Sequence, residues 1–175
     1  MWLLPYNEGM NKKCVKVGGC CAVLFLVIIL PALVIGKGRL FMNADFNSQQ
    51  IPFNILCNKA IKNGEYFWNW NTDLGSNFIA SYSFYNIGSP FFWIMLLVPS
   101  KYVVYAMGPL LVLKFMVSGC SSYLYLSQYV KNGYLAAIGA VLYTFSGFTF
   151  SNLFYNHFMD VIALFPLLLL ALDQN

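Results

Sequence analysis

Four long stretches with few or no charged residues constrain this chain more than any other feature. The first covers residues 17–35 and holds no charge over about 19 positions, so as a helix at 1.5 Å per residue it spans roughly 28 Å. The hydrocarbon core of a bilayer is about 30 Å thick, which one such helix crosses. The other three stretches are residues 102–129, 134–150 and 161–175. The pattern predicts an all-α, polytopic transmembrane protein with spans at these four places.

The composition also indicates a membrane protein. Charged residues make up 9% of the chain and hydrophobic types 59%, whereas an average soluble domain is about 25% charged. A soluble domain of this size buries only about 70% of the surface that its unfolded chain exposes, so it could not hide this much apolar surface. The net charge of +4 comes from scattered residues. A nucleic-acid surface needs clustered Lys and Arg, so that class of partner is excluded.

The charges around the first stretch predict its orientation. Residues 12–16 carry three lysines, and basic residues favour the cytoplasmic side of a membrane. The stretch is longer than the apolar region of a signal peptide, so we expect a retained span with a cytoplasmic N-terminus. Lys37 and Arg39 at its far end oppose this bias. The prediction leaves residues 36–101 as a long outer loop.

Within that loop, residues 49–64 have the marks of a helix that lies on the membrane surface. Pro52 suits the first turn and Gly64 suits the end of a helix. The predicted apolar side holds Ile51, Ile55, Leu56 and Ala60, and the predicted polar side holds Asn54, Asn58, Lys59 and Lys62.

A short apolar segment closes the outer loop. About ten apolar residues lie between Pro90 and Pro99, too few for a complete span, and they indicate a re-entrant piece at 89–99. The alternative is a complete span over residues 82–98, which would reverse the orientation of every later segment.

Asp45 is the only acid in the stretch RLFMNADFNSQQIPF that follows the first span. One interpretation is a general base or a metal-binding carboxylate at the outer edge of the membrane. The other is a solvated loop acid that pairs with Arg39 or Lys37.

Three further charged or polar residues stand near apolar sequence. His157 and Asp160 are three residues apart and share a face if the segment is helical. Such a pair can bind a metal or orient a proton transfer, or it can be a polar patch where a helix meets water. Lys114 lies in the middle of a span, where a charge costs about 2.5 to 3.5 kcal/mol unless it faces a partner or a water-filled cavity. Our interpretation places it on a cavity, near a phosphate.

The segment around Trp68, Trp70 and Asp73 has two interpretations. Flat indole rings stack on pyranose faces, which indicates a sugar-facing surface, but tryptophans also settle at the headgroup level of a membrane. Gly75 suits the turn of this segment. No GxGxxG or GxxxxGK[ST] motif appears in the sequence, so no nucleotide site is visible. A single histidine excludes a multi-histidine metal site in this stretch. The cofactor stays unassigned, with a divalent metal as one option.

The order of motifs along the chain is more specific than any one of them. The string runs from NADFNSQQIPF through IKNGEYFWNWNTDLGSNF, SPFFWIMLLVPS, LKFMVSGCSSYLYL and YTFSGF to NHFMDVIALFPLLLLALD. It resembles the N-terminal part of the YfhO family of bacterial membrane proteins. Those proteins are similar in architecture to the GT-C glycosyltransferases.

The resemblance implies a polytopic enzyme of a bacterial plasma membrane, longer than this chain. It would move a sugar from a polyprenyl-phosphate carrier to a cell-envelope polymer such as a teichoic acid. In such enzymes the first outer loop carries an essential acid, which Asp45 matches by position, and the second outer loop often adds another, for which Asp160 is the candidate. Lys114 matches the lysine of the family's LK motif.

Two other functions stay open on the sequence. Lys114 within a span and the interrupted segment near Pro90 and Pro99 are typical of a transporter or flippase for a lipid-linked or polar solute. A structural or assembly subunit without chemistry is the third interpretation.

Overall fold

The structure, a computed structural model, describes residues 8–72 and 74–173. It is 77% helical, and the strands found in the described part form one two-stranded sheet. Four helices of that part are long and apolar enough to cross a membrane: Gly9–Ile35, Ser100–Tyr129, Gly133–Ser151 and Asn156–Asp173. The predicted all-α, polytopic membrane fold is therefore confirmed.

Eight α-helices follow one another in the described residues. They are α1 (Glu8–Ile35), α2 (Ile51–Lys62), α3 (Phe78–Tyr82), α4 (Pro90–Met95), α5 (Val103–Tyr129), α6 (Gly133–Thr144), α7 (Gly147–Ser151) and α8 (Asn156–Asp173). Two π-helical turns (Phe46–Gln50 and Ser83–Ile87) and a 3-10 turn (Ser100–Tyr102) lie between them. Strands β1 (Trp68–Asn69) and β2 (Ser76–Asn77) form an antiparallel hairpin.

The chain divides into two compact units. The first comprises Met1–Ile28, Val112–Ser151 and Val161–Asn175, and the second comprises Ile29–Leu111 and Asn152–Asp160. The boundaries fall inside α1, α5 and α8. The second unit contains the whole predicted outer loop and the first turn of α8.

Small residues bring the helices of the first unit close together. A Cβ on Gly119 of α5 would lie 2.7 Å from Sγ of Cys21 on α1, so only glycine fits there. Next to this contact the rings of Phe25 and Phe115 stack with their centroids 3.7 Å apart. Close approach over small residues is the usual way in which helices associate in a bilayer, where the lipid removes the hydrophobic drive.

A tyrosine satisfies a carbonyl that a proline would otherwise leave without a partner. Pro166 lies inside α8, and since proline has no N–H it cannot bond the carbonyl of Ile162 one turn earlier. The hydroxyl of Tyr143 on α6 donates to that carbonyl at 3.0 Å. The bond replaces the missing one and ties α6 to α8 within the first unit.

The second unit corrects the predicted faces of α2. The helix itself forms where the sequence predicts it, with Pro52 in its first turn. Asn54 and Asn58, however, are fully buried, whereas Ile55 and Leu56 of the predicted apolar side are only partly buried. Burial is possible because Asn58 is fully bonded: its Nδ2 donates to the carbonyls of Met95 (2.9 Å) and Val98 (3.2 Å), and its Oδ1 accepts from Ser100 (2.7 Å).

The segment after α3 is interrupted rather than continuous. The π-helical turn Ser83–Ile87 ends at Gly88, and the six-residue α4 begins at Pro90 with Ser89 as its N-cap. The Ser89 hydroxyl accepts from the N–H of Phe92 at 3.2 Å. The alternative of one helix through residues 82–98 is therefore not formed, while the membrane depth of α4 stays a prediction.

Candidate functional site

Asp45 begins the first turn of structure after α1. It is half-buried, and its side chain does not cap the π-helical turn Phe46–Gln50 that it precedes. The residue before it, Ala44, has a φ of +57°, a left-handed conformation that costs a residue with a Cβ roughly 1–2 kcal/mol. Backbone strain of this kind is often found beside functional groups. At the other side, the buried ring of Phe46 anchors the turn.

The far end of that turn reaches the start of α8. Oε1 of Gln50 lies 3.4 Å from Nδ1 of His157, the separation at which the ring N–H donates to the amide oxygen. Both side chains are buried. The turn that Asp45 begins is therefore in contact with one of the predicted site residues, across 107 positions of sequence.

His157 sits among aromatic rings. Its ring centroid is 4.7 Å from that of Phe84, 5.0 Å from Tyr85 and 4.7 Å from Phe158. A surface patch would leave the imidazole in water, so the buried ring does not fit the interpretation of a solvated polar patch. Asp160, one turn later on α8, is also buried, at 9% exposure.

Two buried polar atoms next to this cluster have no hydrogen-bond partner within the described residues. One is Nε2 of Gln50 and the other is Oδ1 of Asn54, one helical turn later. The two side chains are 1% and 0% exposed, and Nδ2 of Asn54 already donates to the carbonyl of Gln50 at 2.8 Å. A buried donor or acceptor without a partner costs about 1–3 kcal/mol. One donor and one acceptor thus remain for a ligand or for ordered water.

A cavity of about 460 Å³ lies on the other side of Tyr85. Aromatic side chains (Phe53, Tyr82 and Tyr85) and polar ones (Asn71, Thr72 and Ser81) line it. The Tyr85 ring is 5.2 Å from Phe53 and 5.0 Å from His157, so one ring connects the cavity to the histidine. Flat rings with amide and hydroxyl groups around them suit a polyhydroxylated ligand.

The β-hairpin supplies one wall of the cavity. Buried Asn69 fixes the wall: its Oδ1 accepts from the N–H of Asn71 (2.9 Å) and the hydroxyl of Thr72 (3.3 Å), and its Nδ2 donates to Glu65 (2.8 Å). The hydroxyl of Thr72 also lies 3.0 Å from that of Tyr82. The polar side chains of this wall are therefore held before any ligand arrives.

Trp70 lies beside this wall and faces outward. It is 75% exposed, and its ring meets that of Trp68 edge-on with centroids 5.7 Å apart. Gly75 has a φ of +112°, which confirms that it serves the turn. The predicted site residue Asp73 lies outside the described residues.

Lys114 belongs to the other unit. It is fully buried in the middle of α5, whereas Asp45, Trp70, His157 and Asp160 are all in the second unit. Among the described residues no group of three or more His, Cys, Asp or Glu side chains could hold a metal ion.

Cys57 is a thiol at the edge of this region. Burial raises its pKa to about 12, while the amide of Asn86, which donates to the sulfur at 3.4 Å, acts in the opposite direction. The thiol is therefore protonated at neutral pH and is not a nucleophile.

The sequence analysis missed Gln50, Asn54 and the rings around His157. A signal was present: polar amides recur at positions 50, 54 and 58, on one face of a helix. We assigned that face to water, and the structure buries it.

With the fold and the site described, the chain is a multi-pass α-helical membrane protein. The family described as "Bacterial membrane protein YfhO" matches residues 20–174. The chain therefore belongs to the YfhO family, which confirms the resemblance. No curated protein and no solved structure is similar enough to the chain to count as a match.

Proposed function

We propose that the protein is a membrane glycosyltransferase that moves a sugar from a polyprenyl-phosphate carrier to a cell-envelope polymer such as a teichoic acid. The observation that carries the proposal is the combination, within one unit, of the Gln50–His157 contact, the two unpartnered amide atoms and the aromatic cavity that shares Tyr85 with them. Membership of the YfhO family is compatible with this activity.

In the proposed reaction Asp45 is the general base. It takes the proton of an acceptor hydroxyl as that oxygen attacks the anomeric carbon of the carrier-bound sugar. The new glycosidic bond forms as the bond from the anomeric carbon to the phosphate oxygen breaks, and the polyprenyl phosphate leaves with the electron pair. The phosphate is a good leaving group, so no nucleotide pocket is needed.

The other residues bind and orient the substrates. Asp160 is the second acid and holds the acceptor at the start of α8. His157 and the amides of Gln50 and Asn54 bond sugar hydroxyls, and Trp70 and Asp73 extend the sugar-binding surface along the hairpin. Lys114 lies near the carrier phosphate, the role we gave to a cation at membrane depth.

This function sets an orientation. The N-terminus lies in the cytoplasm, and the loop with Asp45 lies outside, where the carrier presents its sugar. We place the chain in the plasma membrane as the N-terminal part of one multispan domain.

The decisive experiment is sugar transfer by the full-length protein in liposomes that contain a radiolabelled polyprenyl-phosphate sugar. We expect Asp45→Asn to lower the rate by about 10²–10⁴-fold, the usual contribution of a general base. Asp45→Glu keeps the carboxylate and should retain part of the rate. Asp173→Asn removes an acid at the far end of α8 and should leave the rate unchanged. A fully active Asp45→Asn protein would remove Asp45 from catalysis.

A transporter or flippase is the second candidate, favoured by the fully buried Lys114 within a candidate span. In the same liposomes, movement of the labelled lipid across the bilayer without any glycosyl product, lost in Lys114→Met, would support the transporter over the enzyme.

A further inference from the structure

A second cavity, unrelated to the candidate active site, opens in the first unit between α1, α5 and α6. Its volume is about 520 Å³. The side chains that give it its chemistry are Lys13, Lys16, Tyr123, Asn132 and Tyr134.

Positive charge gathers in this cavity. The Nζ of Lys13 and the hydroxyl of Tyr123 each lie 3.5 Å from the position that a Cβ would take on Gly133, so both reach the first residue of α6. Neither Lys13 nor Lys16 pairs with an acid within residues 8–72 and 74–173.

The helix beside the lysines adds to this charge. Oδ1 of Asn132 caps α6 by accepting from the N–H of Tyr134 at 3.0 Å, and the N-terminus of the 12-residue helix adds its positive partial charge. The site suits an anion.

An apolar groove continues from the basic cavity along α1 and α6. It has a volume of about 440 Å³ and shares Lys16, Val17 and Ala137 with the cavity. Beyond these shared residues its walls are apolar, formed by Leu24 on α1 and by Ile138, Val141 and Leu142 on α6. Leu142 is 68% exposed and Ile138 is 57% exposed. A charged chamber that opens into an apolar groove matches a molecule with an anionic head and a hydrocarbon tail.

We propose that this site binds one anionic phospholipid, with its phosphate between Lys13 and Lys16 and an acyl chain in the groove along Leu24 and Leu142. The charge of the cavity selects the anionic head, and the candidate spans that carry the groove place it beside lipid tails. Basic pockets between transmembrane helices are known to hold such headgroups. A soluble phosphate would leave the groove empty. The proposal does not depend on the glycosyltransferase activity.

The test is native mass spectrometry of the protein in an uncharged detergent, with phosphatidylglycerol and phosphatidylcholine of identical acyl chains as probes. We expect one phosphatidylglycerol to bind in preference to phosphatidylcholine. Each lysine near a lipid surface is worth about fivefold in affinity, so Lys13→Gln with Lys16→Gln should weaken binding about thirtyfold. The matched control is Lys59→Gln with Lys101→Gln, which removes two exposed charges from the second unit and should change nothing.

Two further arms keep the result decisive. Lys13→Arg with Lys16→Arg keeps the charge and should retain binding, which separates loss of charge from misfolding. Ala137→Leu narrows the junction of cavity and groove and should weaken phosphatidylglycerol. Equal binding of the two lipids, or unchanged binding by the glutamine variant, would overturn the proposal. Displacement of the lipid by an equal concentration of sn-glycerol 3-phosphate would overturn it too, because it would assign the cavity to a soluble anion.

Discussion

At the scale of single residues, Gly75 determines how closely the two indole rings of the hairpin approach the turn. A Cβ at this position would lie 2.9 Å from one carbon of the Trp70 ring and 3.1 Å from the Trp68 ring. Both rings close over the turn because the glycine has no side chain. The backbone adds a second reason, since its φ of +112° is one that L-residues with a side chain rarely adopt.

We therefore expect Gly75→Ala to destabilise the hairpin by about 1–3 kcal/mol. The measurement is unfolding in detergent followed by near-UV circular dichroism, which reports the environment of the tryptophans. Gly64→Ala is the matched control, because Gly64 also has a positive φ (+79°) but its Cβ would meet nothing closer than 4.0 Å. It should cost only the backbone part, about 1 kcal/mol. Equal effects of the two changes would show that the ring contact is unimportant.

The residues of the site differ in how far the sequence could predict them. His157 and Asp160 were predicted from their spacing, and the turn at Gly75 from its composition. Gln50 was missed because its partner lies 107 residues away, at a distance that no local pattern reports. Whether Asp45 and Asp160 act in catalysis stays a prediction, since it depends on the substrates.

At the scale of elements, α2 is held to the segment that follows α4 by one amide. Asn58 bonds two carbonyls and one hydroxyl there, and the side chain of Lys62 donates to the carbonyl of Val98 one turn later. The helix thus satisfies backbone groups of a segment that has too little regular structure to satisfy them itself.

We expect Asn58→Leu to lower the free energy of unfolding by about 3 kcal/mol or more, because it leaves buried carbonyls of Met95 and Val98 without their donor. Unfolding by sodium dodecyl sulfate, read by circular dichroism, measures the loss. Lys59→Leu, on the exposed neighbour, is the control and should change stability by less than about 0.5 kcal/mol. A small effect at position 58 would mean that water replaces the amide without difficulty.

The same helix shows what periodicity can and cannot predict. Pro52 and Gly64 marked its ends correctly, since these are local backbone effects. Its faces were wrong because the sequence shows polarity and not partners: an asparagine is as content beside two carbonyls as in water. The long apolar helices were predicted more completely, since length and hydropathy alone decide whether a bilayer can be crossed.

At the scale of the whole molecule, the number of crossings decides which segments share a side of the membrane. With crossings at the four candidate spans and none at α4, the loop that holds Asp45 and the segment before α8 face the same side. The short connection between α5 and α6 faces the other. The proposed chemistry requires this arrangement, because both acids must reach one substrate.

We expect an impermeant maleimide added to intact cells to label Ser48→Cys and Ser151→Cys but not Lys131→Cys. All three positions are exposed. Native Cys57 is an internal control, because its raised pKa of about 12 leaves almost no thiolate at pH 8 and it should react only after unfolding. Labelling of only one of Ser48→Cys and Ser151→Cys would contradict the paired-acid arrangement.

The bond from Tyr143 to the carbonyl of Ile162 has a consequence for how the chain enters the bilayer. A proline-bearing helix that arrives alone in hydrocarbon carries a bare carbonyl oxygen, at a cost of several kcal/mol. Here the hydroxyl that covers this oxygen belongs to a helix synthesised about twenty residues earlier, so it is already waiting when the ribosome delivers α8. The order of the chain thus makes the insertion of one helix a precondition for the comfortable insertion of the other.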